Sequence, residues 1–374
     1  MRATSRWVGS GAFCVVALVV AGCSGGKAAD DAAGSSSATS AAAPAADPAT
    51  ELDALLRGIS DCALDERGVP DPKCGGNEAL RQWQVSHQDW LDKDHRKEAA
   101  AVGARYLTNP SPTVRLGALA LVGREIKDDA ALQAAVTALA KTEKDPHVLA
   151  GLAAAAGHAT DSAPLRQELL GLLANEDEEV RKAAVTALVP TNEPPRQAVR
   201  AGVLGALKGG SMDVKKKICQ RLRVGDDPEL AKAITSLIDN PATPTTLFDD
   251  CFYGLNLSWL APEVTEPSKI AYEASIACLE KCARDDEHIG LGVSLMQVVI
   301  SPKPEAKKLP EFADEVRIEK AVLAILKDPK AQPSLRFSAA AAFDDIHLAA
   351  KKSGLAPEAI MNLSAKAGDP ASHH

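Results

Sequence analysis

The chain has 374 residues, a formal charge of −8 and 46% hydrophobic residues, an ordinary composition for a globular protein. That length allows two or three compact domains or one long repeat array, and aromatics at only 3% suit closely packed helices of small aliphatic residues better than aromatic-walled ligand pockets. The acidic balance leaves no basic surface to displace phosphate counterions, so nucleic acid is not an expected partner.

Residues 1–22 read as a signal peptide. Arg2 and Arg6 supply a positive n-region, and Ala12 to Ala21 is an apolar run about half the ~20 residues that span a bilayer core. The segment closes on Val20-Ala21-Gly22-Cys23, which resembles the lipobox of bacterial lipoproteins. That resemblance implies cleavage before Cys23 and acylation of its thiol; this covalent lipid is the only non-protein group expected. Each acyl methylene buried in lipid contributes about 0.8 kcal/mol, so two or three chains anchor where one does not. Ser24 follows the cysteine where, in enterobacteria-like sorting, an Asp favours inner-membrane retention. Localisation in the cell envelope therefore leans towards the outer membrane over the inner or cytoplasmic one, where the organism has one. Loss of Arg2 and Arg6 with the signal lowers the charge from −8 to −10, which bears on solubility.

Segment 23–50 continues from the lipidated cysteine into low-complexity Ala, Ser, Gly and Pro, which cannot bury enough apolar surface to offset ordering entropy. It reads as a disordered tether, and its 27 residues after Cys23 would span roughly 30 Å as a flexible coil.

Segment 51–93 does not match the pattern that follows and is expected to cap it. Cys62 and Cys74 flank a loop containing Pro and Gly and are the first candidate disulfide. The same loop carries Asp61, Asp65, Glu66 and Asp71, but without the order and central glycine of an EF-hand, and reads as a solvated loop. Trp83, His87 and Trp90 share one helical face, followed by His95. The expected role is packing of the cap on the first repeat; a ligand-stacking patch or a histidine base is the alternative.

From 94 to 350 the chain repeats. Valines 114, 148, 180 and 214 are spaced by 34, 32 and 34 residues, and Leu335 opens a further unit. Apolar or small residues recur four and eight positions after each: Ala118 and Val122, Leu152 and Ala156, Ala184 and Leu188, Ile218 and Leu222, and (four and eight positions after Leu335) Ala339 and Phe343. That spacing is one face of an α-helix. A second helical run lies between successive units: Ala130 to Lys141, Ala163 to Ala174, Pro195 to Lys208, Pro228 to Ile238 and Glu315 to Leu326. The junctions Lys144-Asp145-Pro146, Asn175-Glu176-Asp177 and Gly209-Gly210-Ser211 carry cap chemistry, with Asp, Asn or Ser before the next helix. Each unit is a helical hairpin that covers its apolar face only by stacking.

The run Glu178-Glu179-Val180-Arg181-Lys182-Ala183-Ala184 resembles the HEAT repeat family, in which Val-Arg after an Asp-containing turn opens the second helix. The likeness extends over about 94 to 350, loosening from Asp239 to Pro310, where Pro241, Pro244, Pro262, Pro267, Pro302 and Pro304 stretch the period. It implies an all-α right-handed superhelix of the HEAT/armadillo type. In that family the cation beside the valine, here Arg115, Arg181, Lys215 and Arg336, bonds turn carboxylates and carbonyls between repeats; a basic stripe for an acidic ligand is the other reading. Segment 351–374, with a short helix over Pro357 to Lys366, is expected to end the array.

Cys219 and Cys251 lie 32 residues apart, one period, and are a second candidate disulfide; Cys278 and Cys282 lie four apart, and a bond from either to Cys251 is also open. No paired short spacing of zinc ligands occurs, so no metal is expected. The chain also lacks a nucleophile elbow, a phosphate-binding glycine loop and a His-Glu-x-x-His helix. The expected function is a membrane-anchored, non-catalytic scaffold that binds an envelope protein through its repeats. The alternatives are an enzyme or enzyme accessory of the HEAT-like lyase type, or a structural assembly factor.

Overall fold

The computed structural model describes residues 47–92, 95–191, 194–240, 242–260, 266–281, 309–343 and 345–367. The lipobox, Cys23, most of the tether and Cys282 lie outside them. Among the described residues the protein is all-helical, with eighteen α-helices, no β-strand and one isolated bridge between Leu64 and Pro70. Contacts divide the chain into two compact units, Met1–Leu169 and Leu170–His374.

In the first unit, α1 (Pro48–Gly58), α2 (Gly75–Ser86) and α3 (Gln88–Asp92) precede α4 (Arg96–Ala104), α5 (Pro112–Val122), α6 (Ala130–Thr142) and α7 (Pro146–Ala156); α8 (Ala163–Leu172) carries the chain into the second unit. α1 begins inside the stretch expected to be tether. Asp47 accepts from the Thr50 N–H and Pro48 fills the first turn, a cap and start signal that the low-complexity run conceals. Leu52, Leu56, Ile59, Leu80 and Trp83 from α1, α2 and the turn between them form one cluster with Ala99, Val102 and Val114. The non-repetitive segment thus covers the apolar face of α4 and α5. Its loop is tied down as well: Ser111 donates to the Ser60 carbonyl, and the buried Thr113 hydroxyl to that of Cys62.

In the second unit lie α9 (Glu178–Leu188), α10 (Gln197–Gly209), α11 (Met212–Arg221), α12 (Pro228–Ile238), α13 (Thr245–Leu260), α14 (Lys269–Lys281), α15 (Glu315–Lys327), α16 (Pro333–Ala341), α17 (Ile346–Ser353) and α18 (Pro357–Ala367). Alternate helices pack on one another: α9 on α11 and α11 on α13, α10 on α12 and α12 on α14. In the first unit α5 packs on α7 in the same way. The periodic positions explain this. Val114, Val148, Val180, Val214 and Leu335 are fully buried, and so, to within 2%, are all ten residues four and eight places after them. Each such side chain removed from water contributes about 1.5–3 kcal/mol where it is a Val, Leu, Ile or Phe.

Aspartates cap the helices they precede, whereas the serines at 111 and 211 do not. Asp145 accepts from the N–H groups of His147 and Val148, Asp177 from Glu179 and Val180, and Asp227 from Glu229 and Leu230. Ser211 makes no such bond; its hydroxyl is hydrogen-bonded to the Asp213 carboxylate instead. Asn175 accepts from the Asp177 N–H, shaping the turn before the cap rather than the cap itself.

Candidate functional site

Three groups of residues carry polar chemistry: the cations beside the repeat valines, the cysteines, and the aromatic cluster of the cap.

Arg115 and Arg181 make the same kind of junction. The Arg115 guanidinium forks onto Glu143 (Nε to Oε2 2.6 Å, Nη2 to Oε1 3.0 Å) and donates through Nη1 to the carbonyls of Asn109 and Pro110. Arg181 forks onto Asp213 at 2.9 and 3.0 Å and donates to the carbonyls of Asn175 and Glu176. Burial pushes the Glu143 carboxyl up, but Arg115 and the N–H groups of Asp145 and Lys144 outweigh it and hold the group below its usual range. Asp213 is likewise pushed up by burial and pulled lower overall by Arg181 and Ser211. These cations are committed to turns and to the acid of the following unit, so they offer no basic stripe.

Lys215 and Arg336 occupy the corresponding places without such a junction. Lys215 meets no acidic partner among the described residues, and the buried Nε of Arg336 has no hydrogen-bond partner there. Two further arginines, Arg200 and Arg317, also follow a valine (Val199 and Val316) but in the other helix of the hairpin, and both make inter-helix junctions. Arg200 of α10 pairs with Asp227 and Glu229, and Arg317 of α15 with Glu273 and Glu280. A 32-residue match between Arg181 and the acid just before Val214 is a signal the sequence contains; Val199-Arg200 and Val316-Arg317 are signals too, which the series of repeat starts passes over.

Cys62 and Cys74 are disulfide-bonded, with Cα atoms 5.7 Å apart, and close the cap loop. Cys219 of α11 and Cys251 of α13 form a second bond with Cα atoms 4.5 Å apart, both residues fully buried. Cys251 is therefore not the partner of Cys278, which is itself disulfide-bonded. In the cap loop Asp65 accepts from the N–H groups of Arg67 and Val69, and its carboxyl is held low by Val69 first and by Arg67. Asp71 accepts from the Lys73 N–H. The loop carboxylates shape its turns, and among the described residues no three His, Cys, Asp or Glu side chains gather as a metal site. No described helix is long and apolar enough to cross a membrane.

The aromatic cluster is the most organised feature outside the junctions. His87 stacks on Trp83 with centroids 4.7 Å apart, Trp83 meets Trp90 edge-on at 5.8 Å, and Trp90 stacks on His95 at 4.9 Å. Trp83 is buried and donates its indole N–H to Glu51 Oε2 at 3.0 Å. Each indole thus already has a histidine against one face, and Trp83 belongs to the core beneath α1. Beside it lies an open cleft of about 640 Å³ between α1 and α2, lined by Glu51, Ala54, Leu55, Ala79, Gln82, Trp83, Ser86 and His87. The sequence places Trp83 and His87 on one face, but nothing in it brings Glu51, 32 residues earlier, to their side.

No known protein family and no curated protein matches this chain.

Proposed function

We propose that the protein is a lipid-anchored, non-catalytic scaffold of the bacterial cell envelope that binds another protein through a HEAT-type helical solenoid. The observation that carries the solenoid is the repeated burial of a valine or leucine and the residues four and eight places on, five times along the chain. Packing of alternate helices supports it, since hairpins stacked in register bring every second helix together. Side chains off the buried stripe then form extended surfaces, which suit contact with a protein better than enclosure of a small molecule. The anchor rests on Val20-Ala21-Gly22-Cys23, with lipid on Cys23, and the outer membrane is favoured by Ser24 where there is one. The non-catalytic reading is favoured by the commitment of Arg115 and Arg181 to inter-unit junctions and of Asp65 and Asp71 to loop turns, which gives these groups a structural role.

Crosslinking in intact cells followed by affinity purification tests this reading. Specific envelope proteins are expected to be recovered reproducibly; only abundant bystanders, differing from trial to trial, would refute it. Cys23→Ala is expected to abolish processing before residue 23 and partitioning into detergent. Unchanged partitioning would remove the anchor.

A further inference from the structure

The loop closed by Cys62 and Cys74 touches two repeat helices at once. Its base lies on the start of α5, where Ser111 donates to the Ser60 carbonyl and the buried Thr113 hydroxyl to that of Cys62. Its tip lies on the start of α7. There Gly68 is buried at φ 73°, and a Cβ added to it would lie 2.7–2.9 Å from Nδ1, Cγ and Cβ of His147. Between base and tip the loop holds its own shape as a short hairpin. The Asp65 N–H donates to the Val69 carbonyl and the Asp71 N–H to that of Ala63, while the Asp65 carboxylate accepts from Arg67 and Val69.

The same two helix starts are joined a second time. α5 packs on α7, and Arg115, two residues after Thr113, forks onto Glu143, four residues before His147. The ion pair opens and closes freely, whereas the hairpin is closed by a covalent bond that only thiol chemistry opens. Access separates this bond from the other disulfide. Cys219 and Cys251 are fully buried, but Cys74 is only half-buried, so an external thiol has a sulfur to attack there.

We propose that the hairpin is a thiol-released strap across the starts of α5 and α7. A dithiol delivers one thiolate to Cys74 Sγ; the S–S bond breaks, and Cys62 leaves as a thiolate that takes up a proton. The second thiol of the reductant then displaces Cys74 as a thiol and closes the reductant's own disulfide, so that two electrons pass to the protein. The twelve-residue separation regains its conformational freedom, and holding Gly68 on His147 falls to the few backbone bonds of the hairpin. The α5–α7 pair keeps the bridge of Arg115 with Glu143 alone. The strap thus sets how firmly these two helices are joined, and it depends on neither the lipid anchor nor a partner protein.

The test treats the full chain with dithiothreitol under native conditions and follows hydrogen exchange by mass spectrometry. Differential alkylation is expected to label Cys62 and Cys74 while Cys219 and Cys251 stay bonded. Segments 63–71 and 146–149 should then exchange at least about tenfold faster, with 116–122 of α5 and 150–156 of α7 remaining the more protected. Cys62→Ser combined with Cys74→Ser should reproduce the pattern without reductant, which separates it from any opening at Cys278. Gly68→Ala leaves the disulfide intact and should loosen 146–149 while the base of the loop keeps its protection. Unchanged exchange in 146–149 after cleavage would overturn the proposal. So would a rise there no larger than in 116–122, or reduction of Cys219–Cys251 ahead of Cys62–Cys74.

Discussion

Removing Arg115 tests whether the inter-unit junctions hold the array together. In Arg115→Ala the guanidinium leaves behind a Glu143 side chain only 4% exposed, together with the carbonyls of Asn109 and Pro110. Stripping one partner from a buried ion pair costs about 3–5 kcal/mol, because the other charge stays desolvated. Glu143 keeps the N–H groups of Lys144 and Asp145, each at 2.9 Å, which places the cost near the lower end, about 3 kcal/mol. At about 2–4 °C per kcal/mol for a unit of this size, the first thermal transition followed by circular dichroism should fall by roughly 6–12 °C. Glu143→Gln keeps an acceptor and should cost less, and the double variant should cost well under the sum, since the second change removes the stranded charge. A cost below about 0.5 kcal/mol for Arg115→Ala would mean that the pair behaves like a surface salt bridge, and the junction argument would fail.

The remaining predictions concern the same scaffold. Glu143, Asp213 and Asp227 all have carboxyls held below the usual range in the folded protein. The unfolded chain therefore binds more protons near pH 4, so this stability is complete above the ordinary carboxylate range and lost as pH falls through the folded values. Urea midpoints should be level from about pH 6 to 8 on this account and drop below about pH 4; midpoints rising on acidification would contradict it. Gly68 sits at φ 73° with its missing Cβ position 2.7–2.9 Å from Nδ1, Cγ and Cβ of His147. Gly68→Ala should cost about 1–3 kcal/mol in urea unfolding, and His147→Ala should recover only the part due to the ring, since its Cβ stays. Replacing Cys62 and Cys74 together by serine should cost about 3 kcal/mol for the twelve-residue separation they close, read as loss of thermal stability. No change would mean that the loop is held by Thr113 and Ser111 alone.

What was legible in the sequence was whatever repeats or acts locally. The valine series and its i+4 and i+8 companions report burial because a helix brings them to one stripe every turn. Asp145 and Asp177 report helix starts because a cap needs only its own next three residues. Ser211 misleads: it stands where a cap stands, but its oxygen accepts from no N–H of the first turn, and its hydroxyl is bonded to Asp213. Asp47 was hidden by its surroundings, since Ala, Ser and Pro before it look uniformly unstructured. The α1–α2 cleft was half legible. The Trp83–His87 spacing places both on one helical face, but Glu51 reaches them only through tertiary packing. The disulfide of Cys219 with Cys251 matches one repeat period, yet six cysteines allow fifteen pairings and no spacing argument alone selects among them.

The cations after Val114, Val180, Val214 and Leu335 show where a repeat pattern stops carrying information about contacts. The fold requires the valine, because its side chain fills the seam between helices, and it is buried at all four positions. The neighbouring cation is required only where an acid arrives from the next unit. Arg115 finds Glu143 28 residues later and Arg181 finds Asp213 32 residues later, from a helix end in one case and a helix start in the other. Arg200 and Arg317 meet the same need from the other helix of the hairpin. Carboxylates at these junctions, from the buried Glu143 to the exposed Glu273 and Glu280, are thus paired from whichever helix reaches them, and each of the four arginines follows a valine. Lys215 and Arg336 retain the place without an acid among the described residues, which makes them the ladder positions whose replacement by methionine should leave stability within about 0.5 kcal/mol. Urea unfolding of Lys215→Met beside Arg181→Met distinguishes the two cases, and equal losses would show that the cation matters for something other than its partner.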